Sequence, residues 1–431
     1  MSFLSTPGTS TPGAAGPIQS AAPVQLAPRR PSAWAPLREP LFRSLWIAAV
    51  ISYTGSWMQN VATGWLMTSL NRSPIWVALV QVALSLPVFL IALPAGALAD
   101  LVDRRKFLLL TQSSMVAASG ILGILTVTGA MTPHLLVVFT FLLGVGANMN
   151  DPAWQALTPD LVPAPKLASA VALNSAAFNI ARAVGPALGG LVIATAGSGV
   201  AFLLNAISFF GVILFLYHWK PVERLFPARA GSLAQAIGDG IRYARQDRRM
   251  RAVLVRTLAF SLLSSAYWAM APLMAMGFGA QGYGAILACF GLGALAGAGI
   301  LSLIRGRWSH DSVVKAATCI FALAMFFMVR TQTLAVFALL AAAAGLAWIC
   351  NLASLNFVAQ ITAPAWVRAR MISLYVLALH GGLALGSLIW GGMATRVGLK
   401  LTLTCTAAAL GASLLLSRWY SLGEEAGIRN Q

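Results

Sequence analysis

Acidic side chains are scarce here: eleven Asp and Glu stand against twenty-nine Lys and Arg, and charged residues of both signs make up only 9% of the 431 positions. Soluble domains carry about 25% charged residues, so water is excluded as the solvent for most of this chain. Cysteine is equally rare. Cys289, Cys319, Cys350 and Cys405 all fall within apolar runs with no CxxC spacing, which excludes a disulfide framework and predicts buried structural thiols. No GxxxxGK[ST], HExxH or GxSxG occurs, and no cluster of metal ligands, so ATP hydrolysis and metalloprotease or serine-hydrolase chemistry are excluded and no cofactor or metal is expected. GLGALAG (291 to 297) lies mid-run without a preceding strand and reads as small-residue helix packing, not a dinucleotide loop.

What is abundant is apolar length. The chain is 58% hydrophobic with a mean hydropathy of +0.79. From Leu41 onward twelve apolar segments each approach the ~20 residues needed to span a bilayer core. They run 41 to 67, 75 to 98, 107 to 129, 134 to 158, 167 to 195, 199 to 217, 251 to 276, 281 to 304, 313 to 330, 333 to 358, 370 to 394 and 399 to 417. The expected architecture is an all-α integral membrane protein of twelve transmembrane helices. A net charge of +18 would suggest nucleic acid if it formed a stripe on a soluble face. Here the cations sit in the short gaps between apolar runs, so the expected surroundings are a lipid bilayer, with no nucleic-acid partner.

One alternate set of connections holds Arg104, Arg105, Lys106, Arg248, Arg249, Arg368 and Arg370 among others, while the other holds only Arg72, Arg330, Arg396 and Lys400. The positive-inside rule makes the first set, and both termini, cytoplasmic. Residues 1–36, rich in Ser, Thr, Pro, Gly and Ala with no apolar h-region, read as a disordered cytoplasmic tail. Then come an N-terminal six-helix half (37–217), a cytoplasmic linker (218–250), a C-terminal six-helix half (251–417) and a short tail (418–431). Within the linker Leu233, Ile237 and Ile241 recur at helical spacing among arginines, which fits an amphipathic helix on the inner leaflet or a solvated linker helix.

Two sixes imply an internal repeat. A shift of 201 residues overlays Gly144 on Gly345, Pro163 on Pro364, Gly185 on Gly386, Gly190 on Gly391 and Gly197 on Gly398 without a gap. The fifth span carries Arg182 near its middle, where a guanidinium costs at least ~2.5 kcal/mol unless it faces a partner, a cavity or a substrate. In the overlay Arg182 meets Leu383 and Asp151 meets Leu352, so neither charge is required by fold symmetry. Asp151 reads as a proton carrier, a structural ion-pair partner of Arg182 or a vestibule residue. His380, which overlays Asn179, reads as hydrogen-bonded structure or a proton relay. Asp151, Arg182 and His380 are the candidates for proton coupling.

Gly96-Ala-Leu-Ala-Asp100-Leu-Val-Asp103-Arg104-Arg105-Lys106 resembles the loop motif GxLaDrxGrkxxl of the major facilitator superfamily, with Asp103 where that pattern has its second Gly. Gly185, Pro186, Gly189 and Gly190 resemble the superfamily's gxxxGPxxGG motif, associated with exporters and antiporters. PAWQALTPDLVP (152 to 163) and the segment after it are similar to the bacterial subgroup that includes the enterobactin exporter and related siderophore or drug efflux proteins.

The resemblance implies the major facilitator fold and a conformational role for Gly96, Asp100, Arg104, Arg105, Gly185, Pro186, Gly189 and Gly190. It also implies a central cavity lined from the first, fourth, seventh and tenth spans. Those spans offer Tyr53, Trp57, Gln59, Asn60, Asn148, Asn150, Trp154, Tyr267, Trp268, Trp348, Asn351 and Asn356, aromatic faces among amides that suit a large amphipathic small-molecule substrate. The implied function is proton-driven export of siderophores or other amphipathic molecules, including drugs, from the cell inner membrane. An outer-membrane efflux channel is a further candidate partner. Import of a nutrient or metal chelate on the same fold, and a non-transporting membrane receptor, are the alternatives.

Overall fold

The computed structural model describes residues 32–101, 103–155, 157–219, 233–304, 307–364 and 366–423, with side chains except at 92–101, 104, 151–153, 155, 233–237 and 239. Most of the amino-terminal tail, linker residues 220–232 and residues 424–431 therefore lie outside the described residues. Among the described residues every regular element is helical. The first part of the chain forms α1 (Pro40–Leu70), α2 (Pro74–Leu101), α3 (Arg104–Val127), α4 (Pro133–Gln155), a single turn α5 (Thr158–Leu161), α6 (Leu167–Ala196) and α7 (Ser198–His218). The connecting α8 (Leu233–Gln246) leads to α9 (Arg248–Met274), α10 (Gly279–Ile304), α11 (His310–Met328), α12 (Leu334–Thr362), α13 (Arg368–Val397), α14 (Leu399–Ser413) and a last turn α15 (Leu416–Trp419).

Ten stretches among the described residues are long and apolar enough to cross a membrane. One of them, Arg248–Ile304, contains both α9 and α10, and α1 is not among the ten. Large apolar side chains such as Leu110, Ile207, Leu303 and Leu339 face outward, a surface that water would not tolerate on this scale. With lipid outside, helix association rests on close packing and interhelical hydrogen bonds rather than on apolar burial. Both are present. Gln59 on α1 accepts from Ser119 on α3 at 2.6 Å and from Asn205 on α7 at 2.7 Å, and Asn351 on α12 donates to Thr318 on α11 at 2.9 Å.

The 201-residue shift reappears in the helix bounds. α4 and α12 begin at Pro133 and Leu334, α6 and α13 run Leu167–Ala196 and Arg368–Val397, and α7 and α14 begin at Ser198 and Leu399. Gly197 and Gly398 end their helices with φ of 85° and 86°, a region that disfavours any residue with a Cβ. The glycine framework also recurs in its contacts. A Cβ on Gly190 would lie 2.7 Å from the carbonyl oxygen of Ala280 on α10, and one on Gly391 would lie 2.5 Å from the Cβ of Ala78 on α2. Each half thus lays the later part of one small-residue helix against the second helix of the other half.

These crossings sit toward one end of the bundle. The end where α3, α6, α9 and α13 begin carries Arg105, Lys166, Arg248 and Arg368 and is called the basic end here. Gly190 and Ala183 on α6 pack on Gly284 and Gly291 on α10, and seven residues further toward the basic end on each helix stand Ala176 and Ala298. The packed four are buried, whereas Ala176 and Ala298, nearest the basic end, are exposed. A Cβ on neighbouring Gly299 would meet nothing within 4 Å. The two halves therefore close on each other away from the basic end and part toward it.

Helix α8 docks on the carboxy-terminal half. The Tyr243 hydroxyl donates to the Thr362 carbonyl at 3.3 Å, its ring meets Trp366 edge-on, Ala244 is buried, and Gly240 lies over Met371 and Arg370. Of the four thiols, all free, only Cys350 is buried and Cys319 is exposed, which corrects the expectation of four buried ones. The outward face of α11 is apolar lipid-facing surface, where a thiol packs as readily as inside.

Candidate functional site

A cavity of about 360 Å³ lies between the halves, within the size range of small-molecule sites. It draws on α1, α2, α6, α9, α10, α12 and α13. Its wall includes Trp57, Asn60, Gln81, Arg182, Pro186, Trp268, Tyr283, Phe290, Trp348 and Leu383. The overlaid positions Arg182 and Leu383 thus both reach it, one charged and one apolar. Trp268 meets Phe290 at 4.8 Å and Trp348 at 5.5 Å, both edge-on, so the aromatic wall is one packed cluster.

Arg182 reaches the cavity because the glycines that follow it let α6 lie tight against α1. A Cβ on Gly185 would come within 2.5 Å of the Trp57 Cβ, and one on Gly189 within 3.0 Å of the Met58 Cα. Pro186 sits inside a continuous helix and has no N–H for the carbonyl of Arg182, four residues earlier. Gly291 packs onto that carbonyl, where a Cβ would lie 2.7 Å from the oxygen. The guanidinium itself has no ion pair or hydrogen bond among the described residues. The side chains of Asp100, Arg104 and Asp151 lie outside the described residues, as do the surroundings of Gly96.

Of the twelve residues expected at the cavity, the structure brings Trp57, Asn60, Trp268 and Trp348 together there. The others have different surroundings among the described residues. Gln59 is held in the buried network with Ser119 and Asn205, and Tyr53 contacts Trp154 and Phe178 edge-on. Asn148 donates to the Gly144 carbonyl one turn back, and Asn150 accepts from Thr111 and Gln112. Tyr267 is fully buried against Phe290 and Phe321, Asn351 is bonded to Thr318, and Asn356 is paired with Gln360. The fourth span contributes no wall residue among those described, and α2, α6, α10 and α13 contribute instead. His380, on α13, is outside the wall, and its Nδ1 is buried with no hydrogen-bond partner.

Two features went unread in the sequence. Arg256 on α9 pairs with Asp311 at the start of α11, Lys315 adds a contact to the other carboxylate oxygen at 2.6 Å, and the Leu422 amide points at the same group from 3.5 Å. Arg256 follows the basic run Arg248 to Arg251 so closely that it reads as part of the loop. At the α2–α3 turn, Asp103 adopts φ −52° and accepts from the Lys106 amide at 3.1 Å as the cap of α3, so no glycine is needed there. Arg105 then donates to the carbonyls of Leu216 at 2.7 Å and Tyr217 at 2.5 Å, capping the end of α7.

Comparison with known proteins decides the family. The model of the transmembrane secretion effector family of major facilitator transporters matches residues 31–427. The chain belongs to that family. Over 382 residues it is 25% identical to the multidrug efflux pump Tap of Mycolicibacterium fortuitum, covering 85% of this chain and 91% of that one. Over 168 residues it is 27% identical to the staphyloferrin A transporter of Staphylococcus aureus, a match spanning 39% of this chain and 42% of the relative. A bacterial homologue of the lysosomal transporter Spinster, in an inward-facing and unoccupied conformation, superposes with a TM-score of 0.71 at 14% identity, covering 89% of this chain and 98% of that one. The nucleoside transporter NupG, as a mutant, gives 0.73 at 10% identity, covering 88% and 100%. The fold is that of the superfamily, and the protein is a membrane transporter, not an enzyme.

Proposed function

We propose that this protein is a proton-coupled secondary exporter of amphipathic small molecules, siderophores or drugs among them, with twelve membrane spans and both termini in the cytoplasm of a cell inner membrane. The observation that carries the reading is the cavity at the interface of two repeated halves that close on each other away from the basic end. With the basic end assigned to the cytoplasm, this is the inward-open state of an alternating-access cycle. Export requires the α6–α10 and α13–α2 crossings to part while the basic ends approach. The multidrug efflux pump among the relatives supports export, and the staphyloferrin A transporter supports a siderophore as cargo.

Asp151 is the proton site in this reading. An acid in apolar surroundings holds its proton until a charge or water arrives, which couples protonation to cargo. Inverted membrane vesicles under an imposed pH gradient test the function. Accumulation of a fluorescent amphipathic substrate that collapses with a protonophore is the expected result, and uptake only by right-side-out vesicles would make the protein an importer. Asp151→Asn is expected to abolish gradient-driven accumulation while leaving substrate binding intact. Full gradient-driven flux in that variant would remove Asp151 from the mechanism.

A further inference from the structure

We infer that the cavity selects an anion: a flat aromatic body carrying one carboxylate or equivalent acidic group, with Arg182 as its charge contact. The inference rests on the transport reading above and narrows its cargo. Among the described residues the cavity wall has one formal charge, the Arg182 guanidinium, and neither Asp nor Glu. That guanidinium has no ion pair or hydrogen bond there. A cation in low-dielectric surroundings without a counter-charge is unfavourable, and an incoming carboxylate relieves it through a planar, bidentate fit that a guanidinium is built to make.

The neutral polar groups of the wall can hydrogen-bond such a head. Asn60 adds an amide, and Tyr283 a hydroxyl. Around them Trp57, Trp268 and Trp348 supply ring faces for an aromatic body. A cationic drug would meet a fixed positive charge at short range with no acid among the described wall residues to offset it.

The test compares three probes of one shape: 2-naphthoate, 2-naphthamide and 2-naphthylmethylammonium. Binding of each to the purified full-length protein in lipid nanodiscs is read by quenching of tryptophan emission. The expected result is that the carboxylate binds at least tenfold more tightly than the amide, and the ammonium more weakly than either. Arg182→Gln is expected to abolish the carboxylate advantage and Arg182→Lys to keep part of it, both variants melting as the parent does. Equal affinities in the parent, a preference for the ammonium, no saturable naphthoate binding, or a carboxylate preference that survives Arg182→Gln would each overturn the inference. If Arg182→Gln does not fold, the ranking of the three probes on the parent decides alone.

Flux in vesicles is measured separately. Gradient-driven export of cationic dyes without export of the carboxylate keeps the transport reading and overturns the anion. Carboxylate binding without any flux keeps the anion and removes transport.

Discussion

Arg182 on α6 and Arg256 on α9 are both guanidiniums within helices of the membrane-embedded fold, and they are held in opposite ways. Arg256 is buried against Asp311, whose second oxygen takes Lys315, so its charge is answered inside the protein. Arg182 faces an aromatic cavity with no counter-charge among the described residues. An answered charge fastens α9 to α11 and costs stability when either partner is lost, whereas an unanswered one leaves its balance to a ligand.

The comparison breaks first at Asp311. Asp311→Leu strands Arg256 and is expected to cost about 3 kcal/mol, read as lowered folded yield and melting temperature in detergent. Arg256→Leu should cost less, because Lys315 remains on the carboxylate, and the double variant should recover at least half of the Asp311→Leu loss. No recovery would mean that the two residues act independently.

Next in size is the seam beside Arg182. Gly284→Ala places a Cβ 2.5 Å from the Pro186 carbonyl oxygen and 2.7 Å from the Gly190 Cα, an overpacking expected to cost about 1–3 kcal/mol unless the seam parts. Spin labels at Arg72 and Gln332, in a chain whose four cysteines are replaced, should then report a longer distance. An unchanged distance with unchanged stability would show that α6 and α10 have slack there. The smallest effect on folding is expected at Arg182 itself. Arg182→Leu should leave the melting temperature unchanged or raise it, and a clear loss would reveal a structural partner.

Much of the fold was legible because hydropathy sets helix length and the 201-residue overlay sets helix order, down to the starts of α4, α6 and α7 and their counterparts. Arg182 was legible as well, as an isolated cost in an apolar span. The wall of the cavity was not. These helices are apolar on every side, so no periodicity separates the face that meets lipid from the face that meets a neighbour or the cavity. Tyr267 and Trp268 adjoin in sequence, yet one is sealed in a ring cluster and the other lines the site. Gln81, the one amide of its span, lies outside the four spans expected to line the cavity, and Tyr283 and Phe290 carry no mark in sequence that sets them apart. The Arg256–Asp311 pair joins positions 55 residues apart, a separation with no periodic signature.

The pairing of Arg182 with Leu383 has a consequence for the transport cycle. In the 201-residue overlay α6 takes the place of α13, and α2 that of α10, yet exchanging the halves would replace a cation by a leucine on the cavity wall. The scaffold is close to a palindrome and the site is not. In the anion reading proposed above, a cargo with a charged head and an apolar body keeps its head toward the amino-terminal half throughout the cycle, and the passage is a turning of walls around an oriented guest.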